Sequence, residues 1–154
     1  MHIDIQYALD QHSDYLPDAN QILCWANTVL NSQNVNGEVT VRIVTTEEIT
    51  LLNENYRHKP SPTNVLSFPA DLPDIVDLPL LGDIILCAEV INFEAENQNK
   101  TAPAHWAHMV IHGILHLLGF DHITDTEAKQ METLETEILS GLGYANPYIP
   151  TDNE

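Results

Sequence analysis

Two short stretches of the chain alternate apolar and polar side chains, which is the pattern of a strand with one buried face. They are residues 3–8 (IDIQYA) and 39–44 (VTVRIV). A third predicted strand covers residues 64–68 (NVLSF) after a Pro-Ser-Pro turn, and a fourth begins at Gly82 in the run GDIILCAEV. The Pro- and Asp-rich residues between these last two strands predict a loop. The pattern therefore indicates about four strands.

Apolar residues at helical spacing separate and follow these strands. The predicted helices cover residues 17–31, about 45–56, a short stretch after 88, about 102–119 and about 125–139. The 154 residues contain no internal repeat and no linker that would separate two domains. We therefore predict a single α+β domain over residues 1–154, with a mixed sheet of about four strands packed with four or five helices. The tail after about residue 147 is expected to fray.

The segment HGILHLLGFDH carries the clearest chemical signal, with His112, His116 and His122 at offsets of 0, 4 and 10. Residues four apart in an α-helix lie on one face, so the first two imidazoles can reach one metal ion. Gly119 can adopt the left-handed conformation that ends a helix and turns the chain back, which would bring His122 to the same ion. Three His ligands leave one tetrahedral position open, as in catalytic zinc sites. We predict one zinc ion per chain at the C-terminal end of the long helix.

Two alternatives stay open for this segment. An isolated His pair four residues apart is more often part of a polar helix face, although the glycine and the third His favour a metal site. Imidazole also binds nickel, copper and iron, so zinc is the preferred metal and not the only one that fits.

His105 and His108 extend the same stripe, but the helical rise of about 1.5 Å per residue places them too far along the axis to bind the ion. We expect them to line the site or to support its ligands.

The chain is strongly acidic, with five Lys and Arg against 23 Asp and Glu and a formal net charge of −18. This charge disfavours polyanions and favours basic partners. Arg57, His58 and Lys59 form the one basic cluster, which is either an anion site or a solvated loop tip.

No apolar run could cross a membrane and no signal peptide is evident, so we expect a cytoplasmic protein. Cys24 and Cys87 are expected to be buried free thiols.

The His spacing also matches the metzincin proteases, in which a Glu after the first His accepts a proton from the zinc-bound water. Gly113 stands at that position here. A peptidase of that mechanism is therefore the least favoured interpretation. A zinc ion alone can lower the pKa of its water to about 7, so hydrolysis of another kind of bond stays open.

Several blocks of the chain resemble the YbeY endoribonucleases, bacterial proteins that act in ribosomal RNA maturation. The blocks are residues 52–59 (LNENYRHK), 62–69 (PTNVLSFP), 81–86 (LGDIIL), 112–122 (HGILHLLGFDH) and the M-x-x-L-E-x-E-I-L run from Met131. They follow the order of the family and together span roughly residues 38–141. Asn64 stands where many members have Asp, which weakens any claim that a carboxylate is needed there.

The resemblance implies that His112, His116 and His122 bind zinc and that the arginine of the family falls on Arg57. It implies a single-strand-specific endoribonuclease that acts on the 16S rRNA precursor, in maturation of its 3′ end and in ribosome quality control. It also implies contacts with the small ribosomal subunit, with a basic ribosomal protein and with a ribosome-assembly GTPase, and no membrane partner is expected. Arg57 is a predicted catalytic residue, because a guanidinium matches phosphate oxygens. His112 is the second predicted catalytic residue.

The predicted chemistry is phosphodiester hydrolysis, in which the metal activates water or polarises a phosphoryl oxygen and Arg57 offsets the developing charge. Attack by the 2′-hydroxyl of the RNA is the competing route. His58, Lys59, His108 and Asp121 are candidate helpers. The main rival function is a non-catalytic assembly factor whose zinc holds the C-terminal turn in place, but structural zinc normally has four protein ligands.

Overall fold

The computed structural model describes residues 2–9, 15–70 and 80–149. These residues form four strands and five helices: β1 (His2–Tyr7), α1 (Ala19–Ser32), β2 (Glu38–Val44), α2 (Thr46–Arg57), β3 (Val65–Pro69), β4 (Leu80–Cys87), α3 (Ala88–Asn97), α4 (Ala102–Leu117) and α5 (Asp125–Gly141). The strands form one mixed sheet in the order β1-β2-β4-β3, in which only β3 is antiparallel to its neighbour. The prediction of a single α+β domain, with a mixed sheet of about four strands and four or five helices, is confirmed.

The two faces of the sheet carry different helices. Ile84 and Leu86 of β4 point into the larger apolar core, which includes side chains of α1, α3, α4 and α5. Ile85 and Cys87 alternate with them and point into a smaller core with Ile49 of α2. This alternation is the period-two pattern of a strand that is buried on both faces. As a result, α2 and α4 lie on opposite faces of the sheet, and the edge strand β3 contacts both, through its packing on α4 and through the Tyr56–Phe68 ring contact with α2.

Helix α4 is apolar on most of its surface, as is typical of a helix inside the core. The expected buried residues Met109, Val110, Ile114 and Leu117 are buried, and Leu118 is half-buried against the same core. The helix ends at Leu117, slightly earlier than the predicted boundary at Gly119. A threonine side chain caps the start of each helix near the site, since Thr45, Thr101 and Thr124 accept hydrogen bonds from backbone N–H groups of α2, α4 and α5.

The two cysteines have different environments. Cys87 is buried, as expected, but the prediction that Cys24 is buried was wrong. The buried residues of α1 are Ile22, Trp25, Ala26, Val29 and Leu30, and Cys24 lies on the other side of the helix from them. In the part of the chain that the structure describes, no helix has both the length and the apolar character needed to cross a membrane.

Candidate active site

The C-terminal end of α4 and the turn after it bring the three predicted His residues together. His112 and His116 lie one turn apart with ring centroids 4.8 Å from each other, and the ring of His122 lies 5.6 and 5.1 Å from these two. One ring nitrogen of each residue lies within 4.8 Å of the corresponding nitrogens of the other two. Such a cluster can hold one metal ion. The sequence-predicted ligand set is therefore assembled at the predicted end of the long helix.

The turn that carries His122 is fixed by its backbone. Gly119 has a φ of +101°, in the region that favours glycine, and its N–H donates to the carbonyl of His116 at 3.0 Å. The N–H of Phe120 donates to the carbonyl of Leu115, and the Phe120 ring packs against the main core. The left-handed backbone of Gly119 therefore reverses the chain, as predicted from the sequence. His122 itself is exposed, so the cluster faces solvent on one side.

Burial lowers the pKa of His116, and the neighbouring imidazoles of His112 and His122 lower it further. The neutral imidazole of His116 is therefore favoured. A neutral imidazole is the form that binds a metal ion. The electrostatics of the cluster therefore agree with its geometry.

A buried carboxylate on α5 supports the cluster from behind. Glu135 is fully buried, and its Oε2 lies 2.6 Å from Nδ1 of His112. Its Oε1 lies 2.8 Å from Nε2 of His108, and the Tyr148 hydroxyl donates to the same oxygen. Burial alone would raise the pKa of Glu135, but the hydrogen bonds from His108 and His112 outweigh it and hold the pKa at about 2. The carboxylate is therefore ionised and accepts the proton of His112 Nδ1, which leaves Nε2 of His112 free for a metal.

Glu135 is the functional residue that the sequence reasoning missed. It stands in the M-x-x-L-E-x-E-I-L run, between Met131 and Ile138, which are both buried on the same face of α5. A carboxylate at helical spacing within a buried apolar stripe is the signal that could have identified it, because a buried charge requires partners. The expectation for His108 fits this arrangement, since His108 supports Glu135 and lies outside the three-His cluster.

His108, His112 and Glu135 are also close enough together to hold an ion. However, the two hydrogen bonds of 2.6 and 2.8 Å already account for this clustering. We therefore interpret this group as a hydrogen-bonded support for the three-His cluster. His105, the other expected supporting residue, pairs instead with Glu94 of α3 at 2.8 Å.

Gly113 faces the sheet and not the His cluster. A Cβ atom added at this position would lie 3.1 Å from Cγ2 of Ile84 and 3.1 Å from Cγ2 of Val65. The carbonyl of Gly113 accepts a hydrogen bond of 2.9 Å from the hydroxyl of Ser67 on β3. Glycine therefore suits the close approach of α4 to the sheet, and a larger side chain here would press on Ile84 and Val65. This packing argues against the peptidase mechanism on structural grounds.

The three His residues open into a cleft of about 660 Å³. Its lining comprises Tyr56, Arg57, Asn64, Val65, Leu66, Ser67, Asp121 and Ile123 together with His112, His116 and His122. Arg57, the last residue of α2, is exposed and has no ion pair or hydrogen bond with any residue that the structure describes. The predicted phosphate-binding residue and the predicted metal ligands thus share one cleft. Of the four candidate helpers, Asp121 lines this cleft, whereas His58, Lys59 and His108 do not.

Asn64, where many family members have Asp, has a defined structural role. Its Nδ2 lies 3.2 and 3.3 Å from the two carboxylate oxygens of Glu94, and its Oδ1 accepts the N–H of Val65. An aspartate at this position would place a second carboxylate against Glu94. The amide instead donates to Glu94, so a carboxylate at position 64 is not required for this arrangement.

The model of a known protein family, described as endoribonuclease YbeY, matches residues 6–143 of the chain. The chain belongs to the YbeY endoribonuclease family. The solution structure of TM1509 from Thermotoga maritima has a similar fold, with a TM-score of 0.59, 22% identity and coverage of 99% of both chains. Membership in the YbeY family makes the protein an endoribonuclease, a hydrolase with a role in rRNA processing and an RNA substrate. Members of the YbeY family depend in general on a metal, and the three-His cluster is a candidate site for it.

Proposed function

We propose that this protein is a zinc-dependent, single-strand-specific endoribonuclease that matures the 3′ end of 16S rRNA and takes part in ribosome quality control. The observation that carries the proposal is the shared cleft, in which an unpaired arginine lies with a three-His cluster. A bound metal ion and a permanently charged guanidinium can together stabilise the charge that develops on a phosphodiester during cleavage.

The donor set fits zinc. It offers three imidazole nitrogens, and the hydrogen bond from His112 Nδ1 to Glu135 fixes which nitrogen of His112 is available. His112, His116 and His122 would hold the ion. When bound, zinc supplies a Lewis acid for a phosphoryl oxygen and lowers the pKa of its water.

The side chains of the protein have separate roles in this proposal. Arg57 binds the scissile phosphate and offsets the charge that develops on its oxygens. Glu135 holds the imidazole of His112 in one orientation and one tautomer. The carboxylate of Asp121 accepts the backbone N–H of His122 at 2.8 Å, which stabilises the turn at the edge of the cleft. Water and the 2′-hydroxyl of the RNA are both available nucleophiles, and a 2′,3′-cyclic phosphate product would identify the second.

The acidity of the chain bears on its partners. A net charge of −18 weakens general binding to RNA, so the protein should reach its substrate through a docking partner. Ribosomal proteins are basic, and we infer contact with a small-subunit ribosomal protein and with a ribosome-assembly GTPase, in the cytoplasm where ribosomes mature. We expect slow cleavage of free RNA and faster cleavage of the same RNA in the ribosomal subunit. Equal rates on both at physiological salt would contradict this part of the proposal.

The direct test compares the zinc-loaded protein with its Arg57→Glu variant on single-stranded RNA, duplex RNA and a peptide, with and without a chelator. We expect cleavage of single-stranded RNA alone, sensitivity to the chelator, and loss of cleavage in the variant with its zinc content unchanged. Lys129→Glu, the same charge reversal at an exposed residue of α5, is the matched control and should retain activity. Zinc binding without cleavage of any substrate would favour the non-catalytic assembly factor.

A further inference from the structure

Two large apolar side chains are exposed at the cleft. Tyr56 is 53% exposed and Ile123 is 81% exposed, and both line the cleft that contains His112 and Arg57. Tyr56 belongs to the last turn of α2, whereas Ile123 lies in the turn between α4 and α5. Single exposed apolar residues are common on protein surfaces and need no explanation. Two of them in one cleft that also holds a candidate active site suggest an apolar ligand surface.

The Tyr56 ring is held in place although it is exposed. Its centroid lies 4.3 Å from that of Phe68 on β3, with an angle of 58° between the ring planes. The Tyr56 hydroxyl has no hydrogen bond to any residue within the described ranges. Contact with Phe68 on one side limits the motion of the ring, while the exposed part of the ring stays available. An aromatic surface that is ordered before binding loses little entropy when a flat ligand stacks on it.

The negative charge of the protein explains why RNA binding in the cleft would depend on an apolar surface. Of the described residues that line the cleft, Arg57 is the only Lys or Arg. A chain with a net charge of −18 therefore gains little from general attraction to phosphates. Stacking of a base on an aromatic ring is worth about 1–3 kcal/mol and does not depend on charge. Binding of single-stranded RNA in this cleft requires such a contribution.

The polar groups on the wall of the cleft are already engaged. The Asn64 amide donates to Glu94 and its carbonyl accepts the N–H of Val65. The Ser67 hydroxyl donates to the Gly113 carbonyl. These groups are committed to the fold, which leaves them few hydrogen bonds for reading the edge of a base. Recognition by the ring face alone tolerates any base.

We propose that Tyr56 and Ile123 form a nucleobase-binding subsite that stacks the base next to the scissile phosphate, an inference that rests on the proposed function. A base in a duplex is stacked on both faces and cannot reach this surface. The subsite therefore supplies a physical basis for the preference for single-stranded RNA, and it predicts weak dependence on base identity. Arg57, the neighbour of Tyr56 in sequence, binds the adjoining phosphate.

The test measures binding by fluorescence anisotropy with the zinc-loaded protein at low salt. The probes are a 2′-O-methyl octanucleotide and the same strand with abasic residues, and a gel checks that neither is cut. Tyr56→Leu removes the aromatic face but keeps an apolar contact for Phe68, whereas Tyr56→Phe keeps the ring. Phe93→Leu is the matched control, because Phe93 is 65% exposed on α3 and does not line the cleft. Circular dichroism checks the fold of each variant.

We expect the wild type to bind the strand with bases more tightly than the abasic strand. Tyr56→Leu should weaken binding of the strand with bases by roughly 5- to 150-fold, whereas Tyr56→Phe and Phe93→Leu should bind it like the wild type. Ile123→Ser should show a smaller loss, and it gives a second result if Tyr56→Leu does not fold. Equal binding of the two strands by the wild type, or unchanged binding by folded Tyr56→Leu, would overturn the subsite.

Cleavage of unmodified single-stranded RNA is measured in parallel and separates the two proposals. If the wild type cleaves RNA but binds both probes equally, the subsite is wrong and the proposed function stands. If the wild type cleaves no RNA, the proposed function fails, and the anisotropy measurements still decide whether the protein has a base-binding surface.

Discussion

Replacing Glu135 with Gln should weaken zinc binding while the protein still folds. Glu135 is fully buried and accepts hydrogen bonds from His112, His108 and Tyr148. A Gln has nearly the same volume but only one acceptor oxygen, and its amide N–H₂ would face the donor of one of the two His residues. Either His112 or His108 therefore loses its partner. If it is His112, the imidazole can rotate or change tautomer, and the metal-binding nitrogen is no longer held in position.

The size of the effect follows from the contacts. Loss of a carboxylate that orients a metal-bound His typically costs about 10- to 100-fold in metal affinity, which is roughly 1.4–2.8 kcal/mol. The substitution should also lower the stability of the metal-free protein. The pKa of Glu135, lowered to about 2, shows that the folded protein favours the carboxylate form of this residue. However, burial of a charge is itself costly, and Gln removes that cost together with the hydrogen bonds. We expect a net loss of about 1–3 kcal/mol in the free energy of unfolding.

The assay is a competition titration of zinc against a fluorescent chelator, with thermal denaturation of the metal-free and zinc-loaded forms. Glu137→Gln makes the same substitution at an exposed position two residues away on α5 and should leave both quantities unchanged. If Glu135→Gln binds zinc as tightly as the wild type, the hydrogen bond to His112 does not position the ligand. The same result would show that Glu135 serves only the packing of α5.

Three further substitutions test other parts of the structure. Gly119→Ala should cost about 1–2 kcal/mol in stability, because φ of +101° is strained for alanine although the surrounding space is open, and chelator competition should show weaker zinc binding through displacement of His122. Gly113→Glu should destabilise the fold by at least about 3 kcal/mol in thermal denaturation, and any gain of peptidase activity would contradict our account of this position. Glu94→Gln should destabilise the protein at pH 7. Burial raises the pKa of Glu94, but its hydrogen bonds with His105 and Asn64 lower it overall, so its contribution is present above the ordinary carboxyl pKa and is lost as the pH falls through its folded value. The difference from the wild type in urea denaturation should therefore shrink toward low pH, and a difference that is constant with pH would contradict this.

Local sequence patterns were sufficient to predict the helices and strands and most of the three-His cluster. Alternation in β2 and helical spacing in α4 each depend on neighbouring residues alone, and both elements are present with nearly the predicted bounds. His112 and His116 share a helix, so their approach follows from helix geometry. Gly119 has the left-handed backbone that the third ligand requires. These features could be predicted because the interacting residues are close in sequence.

Glu135 and Cys24 show where such reasoning fails. The position of Glu135 beside His112 depends on how α5 packs across α4, over a separation of 23 residues. No periodicity within α5 shows which residue of another helix it will meet. Cys24 was assigned to the core from its apolar neighbours, but exposure on a helix depends on the angular position around the axis, and Cys24 lies away from the buried stripe of α1.

The meeting of Arg57 with the His cluster depends on the topology of the sheet. Helix α2 packs against one face of the sheet and α4 against the other, so a side chain of one reaches a side chain of the other only around an edge. Strand β3 is that edge, and it follows α2 directly in the chain and runs antiparallel to β4. The Ser67 hydroxyl of β3 holds the Gly113 carbonyl of α4, while Phe68 of the same strand contacts Tyr56 beside Arg57. One short edge strand therefore sets the distance between Arg57 and the three-His cluster on the two sides of the cleft. Substitutions in β3 should change cleavage more than they change zinc affinity, because they move the two sides relative to each other and leave the three His residues together on α4 and its turn.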